Sequence, residues 1–228
     1  MLGPRTILVL RFSSIGDIVH TTSVIGTLKR YFPQSKIDFM TLSKFAPLLE
    51  GHPFINKVHA VDINAGYSQL RQTGFEMEMM EYDLAIDLHN TTRSQVIRWG
   101  LVTTNHVHIK KPRWNRFKLF ALHQNDFPNN FTVRTWLHEP IQHLLPENFT
   151  IGQSRLFVSE AEKSGINKLL TRDGLNGKYF VVTPGAAWAQ KRWKAERYAR
   201  VIDQCASQLN MQAVLIGGVG DDICEMIQ

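Results

Sequence analysis

The sequence predicts an α/β fold built on parallel, doubly wound sheets, and three observations carry that reading. Short apolar runs alternate with helix-length segments through the first half of the chain. The first of these runs empties into a small-residue turn and then a helix whose first turn carries a carboxylate. A strand, helix, strand pattern starts again after a break near residues 150 to 172. Strands that alternate with helices need crossover connections, which produce parallel sheets covered on both faces.

Taken in order, Thr6-Ile7-Leu8-Val9-Leu10-Arg11-Phe12 reads as a buried strand, Ser13-Ser14-Ile15-Gly16-Asp17 as a turn and helix start, and the stretch to Tyr31 as the helix. This arrangement sets ligand-facing N–H groups and an acid at the carboxyl edge of a sheet, where open α/β folds bind ligands, and it points to an enzyme. Residues 36–41, 57–61 and 82–88 are further strand runs, and 104–109 is a weaker one. From Pro112 to about Pro146 the pattern turns helical and aromatic, and Pro146-Glu147-Asn148 breaks it. The expected domains are therefore 1–155 and 172–228. In the second, 178–184 reads as a strand, 194–209 as a helix and 211–218 as a strand. Two strand runs and little more than one helix leave the faces and edges of a parallel sheet open, so the second domain is expected to be only partly present.

With 228 residues, 43% of them hydrophobic and 20% charged, the composition is that of a globular protein able to bury a core. No stretch approaches the roughly 18 apolar residues of a membrane span, and the N-terminus has no signal-peptide pattern, so a cytoplasmic chain is expected. Cys205 and Cys224 form neither a disulfide framework nor a metal-ligand cluster and are expected to be reduced packing residues. The sequons at Asn90, Asn130 and Asn148 carry no weight in such a chain. A net charge of +6 suggests an anionic partner. It is concentrated in Lys110-Lys111-Pro112-Arg113-Trp114-Asn115-Arg116-Phe117-Lys118, five cations without an acid and with two aromatics interleaved. This run suits anionic lipid or a phosphorylated acceptor, and equally a solvated basic loop. Nucleic acid is set aside because no recognition motif accompanies the one basic run. An NAD-linked oxidoreductase is set aside because no G-x-G-x-x-G follows the first strand.

The stretch Arg11-Phe12-Ser13-Ser14-Ile15-Gly16-Asp17-Ile18-Val19-His20-Thr21-Thr22 resembles the opening motif of the family-nine glycosyltransferases, the ADP-heptose:lipopolysaccharide heptosyltransferases. Asp87-Leu88-His89-Asn90-Thr91-Thr92-Arg93-Ser94 is similar to the family's fourth-strand loop. Thr183-Pro184-Gly185-Ala186-Ala187-Trp188-Ala189-Gln190-Lys191-Arg192-Trp193 is similar to the loop opening its second domain, and Ile216-Gly217-Gly218 to the next strand end. Motifs in the right order over nearly the whole chain are specific, as a lone glycine pattern is not. The resemblance implies a GT-B fold, two Rossmann-like doubly wound domains, with the acceptor on the first and the nucleotide sugar mainly on the second. It further implies an inverting transfer of a heptose or related sugar. The donor would be ADP-heptose-like, and the acceptor an anionic lipid-linked saccharide of the lipopolysaccharide inner core. Transfer would take place at the cytoplasmic face of the inner membrane and need no cofactor. The lack of an Asp-x-Asp motif agrees with a metal-independent reaction. A catalytically incomplete nucleotide-binding fragment would share every one of these motifs.

The resemblance makes Asp17 the base that takes the acceptor hydroxyl's proton, with Ser14 and Gly16 beside it toward the acceptor. A carboxylate there also favours the helix dipole, typically by ~0.3–1 kcal/mol, which would suffice to explain it. A modest upward pKa shift in a closed cleft is expected of Asp17 as a base. Lys191, with the backbone of Thr183, Gly185, Ala186 and Ala187, is expected to stabilise the charge of the leaving diphosphate, though it could be a surface cation. Asp221 could bond a ribose hydroxyl or cap a helix. On the acceptor side, Arg93 could grip a carboxylate or phosphate or join a surface salt bridge, while Lys110, Lys111 and Arg113 supply positive charge. His20 lines the site or packs beneath it.

Overall fold

The apolar run at the N-terminus forms strand β1 (Thr6–Leu10), and its alternating side chains supply both core layers of the first sheet. The computed structural model describes residues 3–102, 104–175, 177–186, 188–218 and 222–227. One unit ends at Val158 and a second begins at Ser159. In the first, β2 (Lys36–Leu42), β3 (Lys57–Val61), β4 (Leu84–Asp87) and β5 (Asn105–His108) join β1 in a five-stranded sheet of order β3-β2-β1-β4-β5. Every pairing in it is parallel. The chain winds outward from β1 to β3 and then returns to β4 on the other side. The carboxyl ends of β1 and β4 therefore flank the point where strand order reverses, the crevice that open α/β sheets use for ligands.

Period-two alternation along β1 assigns each face its helices. Ile7 and Val9 meet Ile18, Val24, Ile25 and Leu28 of α1 (Ile15–Tyr31), and on this face lie also Trp136 and Leu137. Leu8 and Leu10 point the other way, toward Leu70 and Met77 of α2 (Tyr67–Glu78) and Val96 and Ile97 of α3 (Thr92–Arg98). Helices α2 and α3 approach backbone to backbone: a Cβ on Gly74 would lie 2.1 Å from the Ile97 carbonyl oxygen. After β5 the chain forms α4 (Arg113–Ala121) and α5 (Val133–His138), which carries Trp136 and Leu137. The segment beyond α5 returns to α1, where the Gly152 N–H donates to Thr27 Oγ1 at 2.7 Å and the Arg155 N–H to Thr22 Oγ1 at 2.9 Å.

The second unit opens on α6 (Glu160–Arg172), started by Ser159, whose N–H donates to Glu162 Oε2 at 2.7 Å while the Glu162 N–H returns a bond to Ser159 Oγ. Strand β6 (Tyr179–Val182), helix α7 (Ala195–Leu209), strand β7 (Gln212–Leu215) and α8 (Ile223–Ile227) follow, with β6 and β7 paired in parallel. Helix α7 ends on Asn210 with φ +50°, the left-handed closure that asparagine tolerates. Both strands are shorter than their apolar runs, because only four residues of each have a partner across the pair. Cys205 and Cys224 are free thiols, each half-buried.

The α2–α3 contact yields the first testable outcome. Gly74→Ala must push the helices apart and should cost ~1–3 kcal/mol in denaturant unfolding, the usual scale of an overpacked core. Gly165→Ala in α6, where a Cβ meets nothing within 4 Å, should be neutral or stabilising by ~0.5–1 kcal/mol. Equal effects of the two substitutions would contradict the close crossing.

Candidate active site

Strands β1 and β4 are paired so that Leu10 lies beside Asp87, and the loops leaving their carboxyl ends carry the site. The next residue after β1, Arg11, is only 7% exposed. Its Nε donates to the Ser13 carbonyl at 2.8 Å, Nη1 donates to the Leu88 carbonyl, and Nη2 pairs with Asp17 Oδ2 at 2.7 Å. Asp17 is the third residue of α1, one turn from the preceding Ser14. The Ser14 N–H and Oγ both donate to Asp17 Oδ2 at 3.1 Å. Gly16 beside them is exposed, and a Cβ built on it meets nothing within 4 Å, so the space over this turn is open.

Burial alone would raise the Asp17 carboxyl, but the Arg11 guanidinium and the Ser14 donors together outweigh it and hold the group below its ordinary value. This corrects the expected upward shift. That expectation weighed burial and left out a guanidinium in contact.

The β4 loop is built on Asp87, fully buried, whose Oδ1 accepts from the N–H groups of His89 at 2.9 Å and Asn90 at 2.7 Å. Its Oδ2 pairs with Arg98 Nε at 3.0 Å, a charge contact without hydrogen-bond alignment. Asn90 turns the chain at φ +45° and donates from Nδ2 to the Ile109 carbonyl. His89 is thereby laid edge-on against Phe12, ring centroids 5.4 Å apart. Burial, with Arg11 and Lys111 adding to it, pushes the His89 imidazole down to about 4 and keeps it neutral.

A pocket of about 490 Å³ opens here, lined among others by Phe12, Ser13, Tyr67, His89, Thr91 and Arg93. His89 Nδ1, Thr91 Oγ1 and Arg93 Nη1 are buried without a hydrogen-bond partner among the described residues. A hydroxyl, an imidazole nitrogen and a guanidinium nitrogen left unpaired in residues that line one pocket are polar groups with hydrogen-bonding capacity not yet used. Arg93 makes no ion pair among the described residues, so the salt-bridge alternative is not what holds it. His20 has a buried Nδ1, likewise without a partner among them.

The basic segment runs from β5 into α4. Lys111 is half-buried, and burial, followed by Arg11 and Arg113, lowers its pKa. The Lys110 carbonyl accepts from Trp136 Nε1 at 2.8 Å, while Arg113, Trp114, Phe117 and Phe120 are exposed. Trp114 stacks on Phe117 at 5.4 Å, Arg116 lies over Trp136, and Lys118 pairs with Asp126, an acid beyond the run. In the second unit, Thr183, Gly185 and Ala186 form the loop after β6, and the Ala186 carbonyl accepts from Arg192 Nε at 2.7 Å. Lys191 is exposed and ends a 3-10 turn whose backbone closes on Trp188 at 2.9 Å. Trp193 packs edge-on against Tyr198. Ala187 and Asp221 lie outside the described residues. Asp17 and Lys191 belong to different units. Among the described residues no group of His, Cys, Asp and Glu could hold a metal ion, and no helix is long and apolar enough to cross a membrane.

The family model for glycosyltransferase family 9 (heptosyltransferase) matches residues 71–227. The chain belongs to this family. It is 35% identical over 210 residues to lipooligosaccharide heptosyltransferase 2 of Haemophilus ducreyi, covering 86% of this chain and 59% of that one. It is 25% identical over 224 residues to lipopolysaccharide heptosyltransferase 3 of Escherichia coli K12, covering 91% and 61%. Among solved structures, the family 9 glycosyl transferase of Veillonella parvula superposes with a TM-score of 0.81 at 18% identity, covering 98% of this chain and 66% of that one. Escherichia coli ADP-heptose lps heptosyltransferase II follows with a TM-score of 0.70 at 23% identity, covering 97% and 67%. These likenesses establish the fold as the GT-B type of the heptosyltransferases. The chain spans 61% to 64% of the length of the curated relatives it matches first.

Within this family 9 member, the sequence had singled out Asp17, Ser14, Gly16 and Arg93, and the structure gathers them at adjoining loops of one sheet edge. It missed Arg11, Asp87 and His89 as working parts. The available signal was a charge closing each apolar strand run, Arg11 after β1 and Asp87 in β4. His89 gives a direct check on the burial of this edge. Its imidazole should stay neutral through physiological pH and titrate near pH 4 by NMR, and a value near its ordinary 6.5 would show a solvated loop instead.

Proposed function

We propose that this chain carries out the acceptor-activating half of an inverting heptosyl transfer, from an ADP-heptose-like donor to an anionic saccharide of the lipopolysaccharide inner core. The observation that carries the reading is the Asp17 carboxylate, held ionised in the first turn of α1 at the carboxyl edge of the sheet, with open space over Gly16. Membership of family 9 supports the reaction class. In the proposed step the acceptor O–H bond breaks, its proton passes to Asp17, and its oxygen attacks the anomeric carbon. The anomeric C–O bond to the diphosphate breaks on the opposite face, and its electron pair leaves with the nucleoside diphosphate. Attack opposite the leaving group inverts the centre. Lys191 and the backbone of Thr183, Gly185, Ala186 and Ala187, with Asp221 on the ribose, are assigned to the donor, where a cation and N–H groups take up the leaving charge without a metal. Arg93, with Ser14, Gly16, Lys110, Lys111 and Arg113, is assigned to the acceptor, whose anionic groups a guanidinium can bind in bidentate fashion.

Transfer from ADP-heptose to lipopolysaccharide core acceptor, followed by product mass, tests the reading. Asp17→Asn should leave donor binding intact and lower transfer by roughly 10²-fold or more, the scale for losing a positioned base. Lys191→Ala should weaken ADP binding and slow transfer together, with Lys191→Arg restoring part of both. The alternative reading, a nucleotide-binding unit without transfer, would show ADP binding with no product.

The exposed face of α4 supports work at the cytoplasmic surface of the inner membrane, because exposed Trp114, Phe117 and Phe120 stand beside Lys110 and Arg113. Sedimentation with anionic vesicles should show salt-sensitive binding, each cation near the surface contributing ~1 kcal/mol. Changing Lys110, Lys111, Arg113, Arg116 and Lys118 to Gln should abolish it, and unchanged binding would return α4 to a solvated helix.

A further inference from the structure

All the described contacts of the Asp17 carboxylate fall on one oxygen. Oδ2 receives Arg11 Nη2 at 2.7 Å and the Ser14 N–H and Oγ at 3.1 Å. No described residue donates to Oδ1, and the side chain is 38% exposed, which leaves that oxygen's lone pairs without a protein donor among the described residues. The geometry assigns Arg11 as the positioning residue of Asp17, fixing Oδ2 inward so that Oδ1 is the atom that takes the acceptor's proton. This rests on the proposed role of Asp17 as the base.

Arg11 can hold a direction because it cannot itself turn. Its side chain is buried, and its other nitrogens are anchored to the Ser13 carbonyl in the β1–α1 loop and the Leu88 carbonyl at the end of β4. A planar fork with donors in fixed directions can join these three oxygens at once. A lysine ammonium carries the same charge but is a single point on a flexible stem, and cannot span them. A carboxylate that accepted from solvent alone would rotate and present either oxygen. With Oδ2 saturated, rotation breaks three contacts, so the base meets its substrate already oriented.

Other charged groups around the pair come from the neighbouring loops. His89 in the β4–α3 loop feels Arg11 and Asp17, and Lys111 ahead of α4 feels Arg11. His89 is neutral, which leaves Arg11 as the charge in contact with the carboxylate.

The test uses the whole chain with carboxyl-labelled aspartate. Asp17 is titrated by carbon NMR in the parent, Arg11→Lys and Arg11→Gln proteins, with thermal unfolding as the check on folding. The parent should titrate below the ordinary aspartate value of about 3.9. Arg11→Gln should move the titration upward, since burial is then opposed by the Ser14 donors alone, while Arg11→Lys should keep it low. In transfer assays Arg11→Lys should nonetheless lose about 10-fold or more in kcat with donor KM unchanged, because charge is restored and direction is not. A purely structural role for Arg11 would lower unfolding temperature and leave both the titration and kcat of folded protein alone. Arg11→Lys at the parent rate overturns the proposal, as does a folded Arg11→Gln protein in which Asp17 titrates unchanged. The titration needs no turnover, and if Arg11→Gln does not fold, Arg11→Lys must still separate titration from rate. Full transfer by Asp17→Asn sinks the base assignment instead, and leaves the titration to judge the pair.

Discussion

A guanidinium buried at the end of a strand must be matched by a carboxylate and by carbonyl oxygens, because an unpaired charge in that position costs more than the fold can supply. Arg11 meets that demand with Asp17 and the carbonyls of Ser13 and Leu88. The acid in the first turn of α1, the turn itself and the end of β4 are therefore tied to one side chain. The same requirement places Asp17 low in pKa, so at neutral pH it is ionised and ready to accept a proton but is intrinsically a weak base. In the proposed role as base its advantage is orientation, with proton transfer running with the attack and not ahead of it.

The sheet makes this arrangement possible. Both faces of β1 are covered by helices, and the strand is flanked on either side by β2 and β4, so its carboxyl end is rigid. Loops grafted on such an edge can hold polar atoms apart from one another, and the pocket lined by Ser13, His89 and Arg93 shows the result. His89, Thr91 and Arg93 have buried polar atoms unpaired among the described residues, while Asp87, at the start of the loop, shapes it with Oδ1 and turns Oδ2 to the charge of Arg98. Buried polar atoms left unsatisfied are costly, and a loop that keeps them so beside a pocket is built for more than its own packing.

The basic-aromatic segment is less uniform than its composition. Lys118 is paired with Asp126, Arg116 covers Trp136, and Lys111 is half-buried near Arg11. The freer charge stands at Lys110 and Arg113, next to the stacked Trp114 and Phe117. Nucleic acid reads as a poor match to so short a charged surface, whereas a mixed aromatic and cationic helix face suits a lipid interface.

The order of elements and the place of Asp17 were legible in the sequence because both are local. Alternating apolar runs state their own period, and a small-residue turn after a strand, with an acid three residues past Ser14, states a helix start. The motif at 87–94 likewise marked Arg93 before its pocket was visible. What tertiary structure alone decided are relations between distant segments. The Arg11 bond to Leu88 spans 77 residues, the depression of His89 needs Arg11 and Lys111 brought to it, and the direction of the Asp17 shift depends on which of burial and a neighbouring guanidinium wins. A linear sequence fixes which charges exist and the short-range pattern around each. Their strength depends on separation and on the solvent excluded between them, and folding sets both.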